Sequence, residues 1–219
     1  HRVAGLIVSI SRNTKQSDHF KEVLEKGIPL VFFDRTCEDI DTFKVVIDDK
    51  KSAFNAVSYL IKKGYKKIAH FAGPTGLDIC KKRMSGYIDA LKQNGINIDQ
   101  NLVSYGGLHE QDGYNSMNSL LEKNIIPDAI FAVNDPVAIG AFQRIKESGL
   151  KIPDDIAIVG FSNNKITSLV DPPLTTVNQP SFEMGKKAAE ILIDIIENKN
   201  LPEKKEIILN AELIIRAST

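Results

Sequence analysis

The chain has 219 residues, with 28 basic and 28 acidic side chains and a formal net charge of zero. A surface built to grip a polyanion is strongly basic, so the chain by itself is not expected to hold DNA or RNA. Hydrophobic residues make up 42% and charged residues 26%, an ordinary soluble composition. No apolar run is long enough to cross a bilayer, and the length admits one large α/β domain or two small lobes.

In chain order, "VAGLIVSI" (3–10) reads as a buried strand and "HFKEVLEKG" (19–27) as a short helix. "IPLVFFD" (28–34) and "FKVVID" (43–48) are the next strands. Residues 52–63 put Ala53, Ala56, Val57, Leu60 and Ile61 on one helical face, closed by Gly64. "KKIAHFAG" (66–73) is a strand, followed by a helix near 79–94. "NLVSYG" (101–106) is a strand, and a helix near 111–123 follows. After the strand "DAIFAVND" (128–135), Asp135 is read as N-cap and Pro136 as first residue of the next helix. "DIAIVGFS" (155–162) is a strand, residues 182–198 are a long amphipathic helix, and "KEIILNAELIIR" (205–216) holds one or two last strands. Strands alternating with helices imply α/β architecture with parallel sheets buried on both faces.

Ligands of open α/β sheets bind outside the carboxyl ends of the strands. Those ends carry Ser9, Asp34, Asp48-Asp49, "GPTG", Asn134-Asp135 and Ser162-Asn163-Asn164. Capping accounts for Asp135. The set as a whole points to a polar cleft for a small, hydroxyl-rich ligand. Catalysis has little support. "GFSNN" lacks the last glycine of a nucleophile elbow, and no histidine follows Ser162; a triad through His70 or His109 has nothing to recommend it. Asp34, Asp48 and Asp49 are the carboxylates a glycosidase would draw on, with no separation fixed by sequence. The four histidines (His1, His19, His70, His109) are scattered, and no metal motif or phosphate-cradling loop is present. No metal and no cofactor is expected. Cys37 and Cys80 are read as free thiols of a reducing cytoplasm.

Several blocks then combine: "GIPLVFFDR", "KKIAHFAGP", "KRMSGY", "VNDPVAIGA", "IPDDIAIVGF", "LTTVNQP" and "LIIRAST". In this order, from about residue 3 to the C-terminus, they resemble the effector-binding domain of lactose-repressor (LacI/GalR) family transcriptional regulators. The resemblance implies a periplasmic-binding-protein-like fold, two parallel-sheet lobes with a ligand cleft between them. The N-terminal lobe would take residues 1–49 plus 178–201 and be incomplete; the C-terminal lobe would take 50–177 plus 202–219. "LTTVNQP" would be a strand crossing from one lobe to the other.

By the same resemblance, Arg83 and Asn134 are ligand contacts, joined by Asp34 and Ser9 from the first lobe and by Gln179 near the crossing. A guanidinium suits the role because its planar fork holds two neighbouring oxygens; an amide both donates to and accepts from a hydroxyl. Two positions depart from the family. Ser162 stands where an aspartate is usual, and Asn163 or Asn164 is a candidate substitute. Leu108 stands where many relatives place an aromatic ring. The family also has two further βα units, about 50–60 residues, and a helix-turn-helix headpiece ahead of "VAGLIVS", so the chain is expected to be part of a longer regulator. The implied function is a cytoplasmic, non-enzymatic, homodimeric sensor of a sugar-like effector, acting on operator DNA through that headpiece and needing no membrane. A solute-binding protein of a sugar transporter is the alternative.

Overall fold

The structure is a computed structural model describing residues 3–11, 14, 16–199 and 201–219; His1 lies outside them. Along the chain run β1 (Leu6–Val8), α1 (Asp18–Glu25), β2 (Leu30–Phe33), β3 (Phe43–Ile47), α2 (Asp49–Lys62), β4 (Ile68–Phe71), α3 (Asp78–Gln93), β5 (Val103–Ser104) and α4 (Glu110–Glu122). They continue with β6 (Ala129–Ala132), α5 (Asp135–Glu147), β7 (Ala157–Phe161), β8 (Thr175–Asn178), α6 (Ser181–Ile196), β9 (Glu206–Leu209) and β10 (Glu212–Ile214). These elements form two compact α/β units.

The first unit comprises residues up to Asp48 together with Pro180–Asn210. Its sheet runs β1-β2-β3-β9, parallel throughout. The β-branched and aromatic content of β2 suits a strand covered on both faces, and Leu30, Val31 and Phe32 are fully buried. Phe20 of α1 meets Phe32 edge to face, with centroids 5.1 Å apart. From α6, Met184, Ala188 and Ile191 are buried. The placement of β9 corrects the sequence reading. Residues 202–210, assigned there to the second lobe, carry a strand that pairs with β3 in the first sheet. The two last strands therefore belong to different sheets, although only Asn210 and Ala211 separate them.

The second unit holds Asp49–Gln179 and Ala211–Thr219. Its sheet order is β10-β8-β7-β6-β4-β5; β10 is antiparallel to β8 and the rest are parallel. Side chains alternate across β4 as strand geometry requires. Ala69 and Phe71 join a core with Met117 of α4 and Ala138 of α5, while His70 stacks on Tyr87 of α3. Each large apolar side chain fully buried here contributes about 1.5–3 kcal/mol. α4 and α5 approach closely. A Cβ on Gly113 of α4 would lie 1.9 Å from the Val137 carbonyl oxygen, and one on Gly140 of α5 would lie 1.7 Å from that of Glu110, so glycine is required by space. Chain order reverses at β4, which has β5 on one side and β6 on the other. This is the switch point where an open α/β sheet leaves a crevice.

α2 starts at Asp49, three residues before the sequence-based start at 52, which draws Asp49 into the first helical turn. A carboxylate is favoured there by the helix dipole. Cys37 and Cys80 are both free and buried.

Candidate functional site

Arg83 lies on α3 and is only 2% exposed. Its Nε donates to Asp49 Oδ1 at 2.8 Å, and Nη2 approaches the same oxygen at 2.7 Å. Nη1 donates to the Val133 carbonyl at 2.6 Å. The guanidinium carbon sits 3.6 Å from the centroid of the Phe161 ring. A buried cation is tolerated only when paired and hydrogen-bonded, and here carboxylate, carbonyl and ring together satisfy that condition. These contacts leave an N–H on each terminal nitrogen uncommitted. Val133 immediately precedes Asn134, and Phe161 immediately precedes Ser162. One side chain thus grips the ends of β6 and β7, one residue short of each candidate ligand contact.

Asn134 is the N-cap of α5, its Oδ1 accepting the Val137 amide at 3.0 Å. This corrects the reading of Asp135 as the cap. Nδ2 of Asn134 donates to the Leu108 carbonyl at 2.9 Å, so Leu108 is tied to the site through its backbone. The Leu108 side chain packs against the core of the unit. Asp135, freed from capping, is wholly buried. Its carboxylate accepts the Thr176 hydroxyl and the Asn164 amide, both at 2.6 Å. Burial pushes its pKa up, against the opposing pull of Thr176, the Asn164 and Phe161 amides and Arg216. Gly160 makes room for it: a Cβ there would lie 2.3 Å from Asp135 Oδ1.

β7 ends in two left-handed residues, Ser162 (φ 113°) and Asn163 (φ 54°). Such backbone persists only where surrounding contacts enforce it. The Ser162 amide donates to the Val177 carbonyl at 2.8 Å, and its hydroxyl reaches Gln179 Oε1 only at 3.4 Å. Asn163 is fully engaged by comparison. Its Nδ2 donates to Asn178 Oδ1 at 2.9 Å, and its Oδ1 accepts Arg216 Nη2 at 2.8 Å. Asn164 starts a 3-10 turn. The loosely held polar groups at this strand end are therefore the Ser162 hydroxyl and the exposed Asn164 side chain, whose Oδ1 meets the Ile166 amide only at 3.5 Å, and not the Asn163 amide.

In the first unit, Ser9 and Asp34 directly follow the adjacent parallel strands β1 and β2. Asp34 takes a left-handed backbone (φ 60°), its amide donates to the Val45 carbonyl at 3.0 Å, and its Oδ2 lies 3.6 Å from Arg35 Nε. The Ser9 hydroxyl, shut off from solvent, has no hydrogen-bond partner among the described residues.

The chemistry assembled in the second unit is a buried guanidinium, an amide and a hydroxyl at neighbouring strand ends. Gln179 stands beside Ser162. Such groups bind neutral, oxygen-rich molecules. His70 is sealed between Tyr87 and Phe131, with centroids 5.0 and 4.9 Å away, and its Nδ1 pairs with the Phe131 carbonyl at 2.9 Å. Burial first, and Arg83's charge second, lower its pKa to about 4 against the pull of the Phe131 carbonyl. His109 precedes α4 and its amide donates to Asp112. Among the described residues no group of three His, Cys, Asp or Glu side chains is placed to hold a metal ion. No helix among them is long and apolar enough to cross a membrane. Sequence reasoning missed Phe161, Thr176 and Arg216 as supports of the site. All three lie within blocks that carry the resemblance, "IPDDIAIVGF", "LTTVNQP" and "LIIRAST".

A protein-family model described as a periplasmic binding protein-like domain matches residues 57–219. The chain is 36% identical, over 191 residues, to the HTH-type transcriptional repressor CytR of Escherichia coli (strain K12), a match covering 87% of this chain and 56% of that protein. The chain thus spans little more than half the length of that curated relative. Among solved structures, it is similar to a transcriptional regulator CelR–cellobiose complex, with a TM-score of 0.90 and 31% identity over 99% of this chain and 66% of that one. It is also similar to a regulatory protein of LacI family from Chloroflexus aggregans, with a TM-score of 0.88 and 34% identity over 99% and 76% of the two chains.

Proposed function

We propose, for a chain that belongs to the LacI/GalR family of transcriptional regulators and carries its periplasmic binding protein-like domain, that it senses a small effector rich in hydroxyl groups, a sugar or sugar derivative. The observation that carries this reading is the grip of Arg83 on the residues just before Asn134 and Ser162. Arg83, Asn134, Ser162 and Gln179 supply the effector's contacts in the second unit, and Leu108 supports Asn134 through its carbonyl; Ser9 and Asp34 are the candidate polar groups of the first unit. The complex of a relative with cellobiose supports a sugar as the ligand class. Ser162 offers a neutral hydroxyl and so favours a ligand needing no carboxylate at that oxygen.

The effector acts by binding one arrangement of the sensor more tightly than another, since differential affinity alone shifts an equilibrium. The regulator works in the cytoplasm as a homodimer, and a DNA-binding headpiece on the longer protein reads the operator. The neutral charge of this chain agrees with that division of labour.

A thermal-shift screen against monosaccharides, disaccharides, sugar phosphates and nucleosides tests the reading. A ligand at a hundred times its Kd stabilises by about 2.7 kcal/mol, a rise of several degrees. Calorimetry on Ser162→Ala then assigns the contact, with an expected loss of roughly five- to tenfold in affinity for one hydrogen bond. A cooperative melt unmoved by every ligand in the panel speaks against a sugar-like effector. Unchanged affinity in Ser162→Ala removes Ser162 from the site.

A further inference from the structure

α3 has a second face that borders a cavity. Lys81, Met84, Ser85 and Ile88 recur at helical spacing and share one face of the helix. Arg83 falls on a different face, where it meets Asp49 and Phe161. The face carrying Lys81 borders a cavity of about 280 Å³, closed further by Pro74 after β4 and Tyr105 after β5. Every lining residue belongs to the second unit, and Arg83, Asn134 and Ser162 are not among them.

The walls are mainly apolar, with the Met84 and Ile88 side chains, the proline ring and the Tyr105 ring. Tyr105 is 57% exposed, a large aromatic left facing solvent. The polar groups are few and one-sided. Ser85 and Thr75 contribute hydroxyls and Lys81 an ammonium, and the lining contains no acidic residue. The next lysine along, Lys82, pairs with Asp78 at 2.7 Å; Lys81 has no acidic partner among the described residues. A small apolar cavity with a few convergent polar groups is the usual form of a small-molecule site, and a lone cation on its rim selects an anion.

We propose that this cavity binds a small monocarboxylate with an apolar body, aromatic or short aliphatic, whose carboxylate meets Lys81 and Ser85 while its body packs on Met84, Ile88 and Tyr105. The cavity shares the Gly73–Thr75 strand end with the polar cleft read from the sequence, but Arg83, Asn134, Ser162, Gln179 and Leu108 do not line it, and the proposal does not rest on the effector reading.

The test uses the protein's three methionines. Met84 borders the cavity, Met117 lies in the core of the second unit, and Met184 is buried in the first unit. With methyl-13C methionine, titration with benzoate to on the order of 10 mM, the range expected for so small a ligand, shifts the Met84 signal and leaves the other two in place. Benzyl alcohol, neutral and of similar shape, binds roughly three- to fivefold more weakly, the weight of an ion pair open to solvent. Lys81→Gln removes that preference. Ile88→Trp fills the cavity and abolishes the shift, with unmoved Met117 and Met184 signals certifying the fold; Ser85→Tyr, which blocks the mouth, replaces it if Ile88→Trp misfolds. A stationary Met84 signal overturns the proposal. So does an unaltered benzoate response in Lys81→Gln, or in the folded cavity-filling variant.

Discussion

At the strand ends of the second unit, hydrogen bonds run from one strand to the next. Arg83 joins α3 to the ends of β6 and β7. Asp135 joins α5 to β8 and to the loop after β7. Arg216, beyond β10, joins that loop to the approach to β8 through Asn163, Thr167 and the Leu174 carbonyl. In the first unit, Asp34 leans on its own neighbour Arg35 and on the adjacent strand through its amide, and the Ser9 hydroxyl is unpartnered among the described residues. The contrast lies in how the polar groups at the strand ends are held. The second unit presents a preformed set of donors and acceptors, whose positions depend on contacts far apart in the chain. The first unit presents Asp34, tied to β3 through its amide, and the Ser9 hydroxyl.

If that contrast is right, substitutions in the second unit should cost far more than those in the first. Asp49→Ala leaves the Arg83 cation buried without its counterion and should cost about 3–5 kcal/mol in urea denaturation; a cost below 1 kcal/mol would mean that water or another group replaces the pair. His70 comes next. Its folded pKa of about 4 lies below the ordinary 6.5, so below pH 6.5 the unfolded chain takes up the proton first. Stability should therefore fall by about 3 kcal/mol between pH 6.5 and 4 on account of this residue, and His70→Phe should flatten that slope relative to the parent protein. Arg216→Met removes charge-assisted hydrogen bonds to three residues and should cost about 2 kcal/mol. It should also weaken effector binding by freeing Asn163, which calorimetry would read. Asp34→Asn, which takes the charge from a half-buried pair at the end of β2, should change stability by about 1 kcal/mol. A larger loss there would show that the first unit is tied as tightly as the second.

The alternation of apolar runs and helical patterns made most strands and helices readable, and it placed Ser162, Asn134 and Asp34 at strand ends. What it could not supply was partners. "Asn-Asp-Pro" offers two cap-competent side chains in succession. The choice falls on Asn134 because Thr176, 41 positions from Asp135, claims the carboxylate. Arg83 was legible as a site residue through its motif, but its counterion Asp49 looked like a strand-end carboxylate until α2 took it in. β9 was misassigned because nothing local distinguishes it from β10. Its partner strand lies roughly 160 residues earlier, a separation that no periodicity encodes.

That last pairing has a consequence for the birth of the protein. β3 leaves the ribosome with β2 already made, but the strand that covers its other side, β9, follows only after the second unit's main segment and α6. At about 5–20 residues per second of synthesis, the open side of β3 waits roughly ten to thirty seconds. During that interval the nascent chain exposes unpaired backbone next to the apolar Val45, Val46 and Ile47, a surface to which other strands can add. The length of the intervening segment thus sets how long that edge of β3 stays open during synthesis.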